Sequence, residues 1–293
     1  MGDSRAASVS VIQEAVVPTD YSEQAVCASY EAEECVEAVE SPDAIIDMTA
    51  NFLPESESDT FVLRCGVTLM ICKQNILQTN ANAISTSEHK TLTGGGEVSR
   101  YLLQTCINGY LEAREQMKQE NAMFEYGKVY SCSSGKNETD SNGVAYDTVY
   151  HGIVPNAWFF FGFLPTAATL TGKWNKYMRQ LYKKLFQKAD KDGKSSLALP
   201  LFGCGGAGAS FDKAIDPLVG SLMNLQGNSP RNLKTIIVCL RQDEAFNKLK
   251  AKMKECLRYG CFISKLIPAG HVKTERQRLG EYSTSVGGGS SSG

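Results

Sequence analysis

Apolar and polar positions along this chain follow two periods. Short apolar runs bounded by turn residues predict strands at Thr60–Arg64, Val67–Cys72, Asn82–Ser85, Lys128–Ser133, Tyr146–Val154, Leu197–Phe202, Thr235–Leu240 and Phe262–Leu266. Longer stretches with apolar residues three or four positions apart predict helices. One runs from Glu97 to about Glu120 and aligns Val98, Leu102, Cys106, Tyr110, Ala113 and Met117. Another, Lys173–Ala189, gathers Trp174, Tyr177, Met178, Leu181, Leu185 and Phe186 on one side. Helices are also predicted over Phe211–Leu225 and Glu244–Leu257. The aromatic-rich stretch Asn156–Thr171 and the polar stretch Ser134–Gly143 read as loops. Strands alternating with helices predict an α/β sandwich with helices on both faces of one sheet.

Charge changes this picture at the N-terminus. Residues 1–60 hold fourteen acids and one base, Arg5, whereas the remainder holds 18 acids and 29 bases. An acidic leader therefore precedes a basic body, and a basic body suits a polyanionic ligand. Residues 1–25 are expected to be disordered. An extension over 26–59 is expected to be partly helical, with helices at Cys27–Glu40 and Pro42–Phe52. One domain should span 60–269, and the Gly/Ser-rich tail 270–293 should be disordered.

Ten scattered cysteines include no Cys-x-x-Cys pair, and there are three histidines. Reduced core thiols are expected, with no metal site. No signal peptide or long apolar span is visible, which predicts a cytoplasmic or nuclear protein without a membrane partner. The bases Lys176, Arg179, Lys183 and Lys184 read as a solvated helix face without interleaved aromatics, so a nucleic-acid partner is not expected.

The candidate chemistry lies in Ser195–Gly208. A short buried strand runs into four glycines, Gly203, Gly205, Gly206 and Gly208, and a helix follows from about Phe211. Glycine lets the backbone approach a ligand, while a helix start offers unpaired N–H groups and a positive dipole end. A phosphate or pyrophosphate ligand is predicted. The same residues fit Gly-x-Gly-x-x-Gly, but a dinucleotide-binding loop normally follows the first strand and needs an acid about 20 positions on. Here that position, near Asn224, falls inside a helix, and the next strand ends in Arg241. In α/β sheets the ligand lies beyond the carboxyl ends of the strands. That rule gathers the loops at Asn75–Ile76, Ser85–Gly96, His151–Pro155, Phe202–Gly208 and Leu240–Arg241.

On these residues the chain resembles a macrodomain, the ADP-ribose-binding module. Val67–Ile76 resembles the family's opening strand and Gly-Asp-Ile loop; Ala83–Gly96 resembles its Asn-rich loop and Gly-Gly-Gly. Asp147–Pro155 resembles its strand ending in His-x-Val-Gly-Pro, and Ser196–Lys213 its phosphate loop and following helix. The resemblance spans about residues 60–258. It implies a three-layer α/β/α sandwich with a mixed central sheet, here carrying an acidic N-terminal extension.

The resemblance also implies roles. Asn75 would meet the adenine amino group, with Ile76 giving a backbone contact. Thr86, Gly94, Gly95 and Gly96 would lie along the ribose side of the site. Gly203, Cys204, Gly205, Gly206, Ala207 and Gly208 would hold the diphosphate, Phe202 or Ala207 would cover the distal ribose, and Leu240 and Arg241 would flank the adenine.

The chain departs from the family pattern over Ser85–His89. The asparagine that contacts the distal ribose has no counterpart, and Glu88 or His89 stands in its place. The aspartate that some mono-ADP-ribosyl hydrolases carry after their glycines falls at Ser99, and Glu97 follows the glycines directly. In this the chain resembles arginine-directed ADP-ribosyl hydrolases. That implies a hydrolase releasing mono-ADP-ribose from protein side chains, with Glu97 and Glu88 as catalytic carboxylates and no cofactor or metal. The partners implied are ADP-ribose and an ADP-ribosylated protein, for a monomer. Two other readings stay open: a reader without chemistry, and a basic dinucleotide or nucleic-acid binding module.

Overall fold

A computed structural model describes residues 57–267 apart from 95, 106–107, 136–145 and 158–166. The leader, the tail and the two predicted helices of 26–59 lie outside the described residues, as does most of the polar loop and of the aromatic stretch.

The described chain runs β1 (Ser58–Leu63), β2 (Thr68–Cys72), a 3-10 turn (Ile76–Gln78), β3 (Ala83–Glu88), α1 (Glu97–Thr105) and α2 (Asn108–Glu120). It continues through β4 (Val129–Ser133), β5 (Thr148–Ile153), α3 (Ala167–Lys191), β6 (Ser196–Pro200), α4 (Phe211–Asn224), β7 (Thr235–Cys239), α5 (Asp243–Arg258) and β8 (Ile263–Ile267). All eight strands form one sheet in the order β4-β5-β3-β6-β7-β2-β1-β8. The five central strands from β5 to β2 are mutually parallel, and β4, β1 and β8 add antiparallel edges.

Residue alternation builds the three layers. Leu197 and Leu199 of β6 pack with Leu69, Ile71, Ile236 and Val238 against α3, α4 and α5. Ala198, between them, packs on the opposite face with Ile84, Val149 and Ile237 under Leu102 of α1 and Tyr110 of α2. The three-layer mixed sandwich is therefore the architecture found.

The structure corrects two boundaries. β3 does not stop at Ser85 but continues through Glu88, because Thr86, Ser87 and Glu88 pair in register with His151, Gly152 and Ile153 of β5. The segment Glu97–Glu120 is helical over Glu97–Thr105 and Asn108–Glu120, residues 106–107 lying outside the described residues. The helix expected from Lys173 begins at Ala167.

Leu197 is fully buried at the centre of the parallel core, its strand paired on both sides. Leu197→Ala should lower the unfolding free energy by about 2–5 kcal/mol, because a cavity remains where the side chain stood. Urea unfolding with an unchanged slope would measure it.

Candidate functional site

The carboxyl ends of the five parallel strands share one edge of the sheet, and a cavity of about 530 Å³ opens there. Its lining comes from the loop after β2 (Gln74 to Leu77), the end of β3 with the start of α1, Val154 and Asn156 after β5, the loop after β6, and Leu240–Gln242 after β7. Sequence-distant loops meet because each parallel strand must be followed by a crossover that returns the chain to the opposite edge.

The glycine loop forms one wall. Gly203 has φ +93°, and a Cβ there would stand 2.8 Å from the indole of Trp174. Any side chain would thus be strained in conformation and driven into the core. Gly203 O accepts from Ala209 N at 2.8 Å and Gly205 O from Gly208 N at 2.8 Å, which folds the loop back on itself. Gly205, by contrast, has open space where a Cβ would point. Ser210 precedes α4 without a side-chain cap on the helix, so the helix start faces this loop uncapped. Cys204 lines the same wall, its thiol giving a hydrogen bond to Leu201 O at 3.0 Å. Burial pushes that thiol up to about 11, so it is protonated at neutral pH.

The opposite wall starts at Gly96, where a Cβ would lie 2.5 Å from the backbone oxygen of Ser87. Only glycine lets α1 begin this close to β3. Glu97, Arg100 and Tyr101 follow along the rim. The Glu97 carboxylate pairs with Arg241 across the mouth, both side chains being more than half exposed. The Arg241 guanidinium also lies 6.0 Å from the Tyr101 ring centre. Arg100 lines the same cavity as this ion pair.

Glu88 requires a correction. It lines the cavity, but its carboxylate, expected beside a ribose, is wholly buried. Because β3 extends, Glu88 shares the face of Ile84 and turns beneath the helices. Its Oε1 accepts from Ser99 Oγ at 2.5 Å, stands 3.2 Å from His151 Nδ1 and lies 3.7 Å from the Arg114 guanidinium. Burial alone would raise its pKa; His151, Ser99 and Arg114 together hold it below the ordinary carboxylate value. His151, fully buried, is pushed down by desolvation and stays neutral. Its Nε2 sits 3.3 Å from Cys132 Sγ, and the Tyr110 ring stacks on it at 6.2 Å.

The other expected site residues divide plainly. Asn75, Ile76, Gly96, Gly203, Cys204, Gly205, Gly206, Ala207, Leu240 and Arg241 line the cavity together with Glu97, Glu88 and His89. Asn75 Oδ1 is already engaged, accepting from Leu77 N at 3.1 Å as the cap of the 3-10 turn. Thr86 does not line it, being fully buried in the extended β3. Phe202 does not either: its ring packs 5.1 Å from Tyr182 inside the core. Gly94 and Gly208 support their turns from outside the lining, with φ +82° and +76°. Gly95 lies outside the described residues.

Sequence reasoning passed over Gln74, Ser87, Arg100, Tyr101, Asn156 and Phe211, all of which line the cavity. The signal for Arg100 and Tyr101 was their place one turn after Glu97. For Phe211 it was the first helical position after the glycine loop.

Known proteins share this fold. The Oceanobacillus iheyensis macrodomain, solved with ADP, superposes with a TM-score of 0.58 at 17% identity, covering 70% of this chain and 100% of that one. The chain has the macrodomain fold. The Trypanosoma brucei macrodomain in complex with ADP-ribose matches with a TM-score of 0.50 at 14% identity, over 63% of this chain and 68% of its own. An Archaeoglobus fulgidus protein named ADP-ribose glycohydrolase is 23% identical over 181 residues, which cover 58% of this chain and 85% of the relative. No family model matches the chain. Among the described residues, no helix is long and apolar enough to cross a membrane, and no group of three or more His, Cys, Asp or Glu residues is placed to hold a metal ion.

The buried cluster makes this domain acid-sensitive. His151 has a folded pKa below its ordinary 6.5, so the unfolded chain binds the extra proton as the pH falls past that value. Glu88 is depressed below its ordinary 4.5, and its contribution is lost only below that. The Tm should therefore fall between about pH 7 and pH 5 and drop further below about pH 4.5. Glu88→Gln should cost about 3–5 kcal/mol at neutral pH, because it leaves the buried Arg114 charge uncompensated. A Tm flat across that range would contradict this account.

Proposed function

We propose that the cavity binds ADP-ribose and that the protein releases mono-ADP-ribose from protein side chains, arginine linkages foremost. The observation that carries the binding reading is the glycine wall. Gly203–Gly208 turns back on itself before the uncapped start of α4, with guanidinium groups across the cavity, an arrangement suited to a diphosphate. The ADP and ADP-ribose complexes of the bacterial and trypanosomal macrodomains, and the name of the archaeal relative, support it.

On this reading the adenine lies between Asn75–Ile76 and Leu240–Arg241, and the distal ribose approaches Ala207 and the Gly96–Glu97 turn. Cleavage adds water to the anomeric carbon, breaks the C–N bond and leaves a proton on the departing guanidine nitrogen. Positive charge develops on the ribose as that bond breaks. With Glu88 sealed under the helices, Glu97 is the exposed carboxylate of the rim available to stabilise that charge. Its present partner, Arg241, would then turn toward the ligand's phosphates or base, releasing Glu97. The second reading, a binding module without chemistry, is favoured by the same ion pair if Arg241 holds Glu97 throughout.

Gly205→Val separates ligand from fold. The added side chain enters open space, so the Tm should stay within a degree or two while ADP-ribose affinity, about micromolar in the parent, falls by roughly a hundredfold. Calorimetry would measure it, and AMP should bind the parent more weakly than ADP-ribose. Glu97→Gln should lower release from ADP-ribosyl-arginine by about two decades with affinity kept. Parent protein that binds ADP-ribose yet releases none from arginine, glutamate or serine linkages would leave the reader function in place of the hydrolase.

A further inference from the structure

Beside the cavity lies a pair of groups that ligand binding does not use. Cys72 is the last residue of β2 and Cys239 the last of β7; the strands are parallel neighbours, and these two residues are partners in register. Both side chains lie on the α1 face of the sheet, with their sulfurs 3.8 Å apart and unbridged. Cys239 lines the cavity, whereas Cys72 does not.

The geometry suits a covalent bridge. Adjacent strands lie about 4.8 Å apart, inside the Cα separation of about 4.4–6.8 Å that a disulfide accepts. The sulfurs would have to close to about 2.0 Å, which needs side-chain rotation and a small shift without any change of register. Both residues stand where strand gives way to loop, so that shift falls on the sheet's edge. The two loop entries are already tied, Leu240 N–H donating to Cys72 O at 2.9 Å.

We propose that Cys72 and Cys239 form an oxidisable dithiol, a modification site for small peroxides entering through the cavity. One sulfur, as thiolate, attacks the peroxide O–O bond, becoming a sulfenic acid and releasing hydroxide. The second thiol attacks the sulfenic sulfur. The S–S bond forms as the S–O bond breaks, and the departing hydroxide takes the thiol's proton as water. Overall, two thiols and one hydrogen peroxide give one disulfide and two waters, with two electrons passing from sulfur to oxygen. The contact between the sulfurs lowers the pKa of Cys72 and raises that of Cys239. Cys204, which also lines the cavity, has no such partner and is held protonated.

The bridge would draw together the two loop entries that lead to Asn75 and Arg241. Its effect on ligand rests on the ADP-ribose reading; its formation does not.

The test treats the full chain with hydrogen peroxide, quenches it, digests it without reductant and sequences the linked peptides by mass spectrometry. A Cys72–Cys239 linkage is expected, reversed by dithiothreitol and absent in Cys72→Ser. Cys256 and Cys261 form a competing pair at the end of α5. A Cys256→Ser, Cys261→Ser double variant should keep the Cys72–Cys239 linkage. Oxidised protein should bind ADP-ribose about tenfold more weakly, with affinity restored by reductant, and in Cys72→Ser peroxide should no longer alter affinity. A linkage found only between Cys256 and Cys261, or sulfinic acid at Cys239 without a bridge, overturns the proposal. Equal affinity of bridged and reduced protein overturns its coupling to ligand. A bridge in a protein whose reduced form ignores ADP-ribose keeps the modification site and removes the ligand assignment instead.

Discussion

The structure depends on parallel pairing across five central strands. A parallel neighbour can be reached only by a crossover, so every one of these strands ends on the same edge and hands the chain to a loop there. Residues as distant as Asn75, Glu97, Gly205 and Arg241 become neighbours for that reason alone. The same pairing buries both sheet faces, which is why Leu197, Ala198 and Leu199 are all apolar and all buried despite pointing in alternate directions.

Within that frame, one charged cluster links four elements. Glu88 from β3, His151 from β5, Ser99 from α1 and Arg114 from α2 converge with almost no access to solvent. Taking ions out of water is costly, and the cluster answers with several partners on one carboxylate oxygen, while Glu88 Oε2 and Arg114 Nε are left without hydrogen bonds. The Arg114 guanidinium also donates to Leu92 O, in the loop between β3 and α1. The cluster thus fixes how α1 leaves the sheet, and with it where Gly96 and Glu97 meet the cavity. Because the Glu88 carboxylate is buried and already paired, the exposed charges of the rim are Arg100, Arg241 and Glu97, a balance better suited to a phosphate than a pair of free carboxylates would be.

What the sequence by itself determined was the layer architecture and the glycine wall. Periods of two and of three to four residues are local properties, and they located all eight described strands and the helices that cover them. The run from Leu197 to Gly208 carries strand, turn and helix start in one continuous segment, so its chemistry could be read without knowing any distant contact. Only the tertiary structure decided where the polar residues of Ser85–His89 go. Serine, threonine and glutamate favour a loop by composition, yet pairing with β5 draws them into a strand and sends Thr86 and Glu88 beneath the helices. The pairing of Glu97 with Arg241 and of Cys72 with Cys239 was equally beyond local reading, being separated by 144 and 167 positions. Such contacts depend on which strands become neighbours, a global packing outcome that no short window of sequence contains.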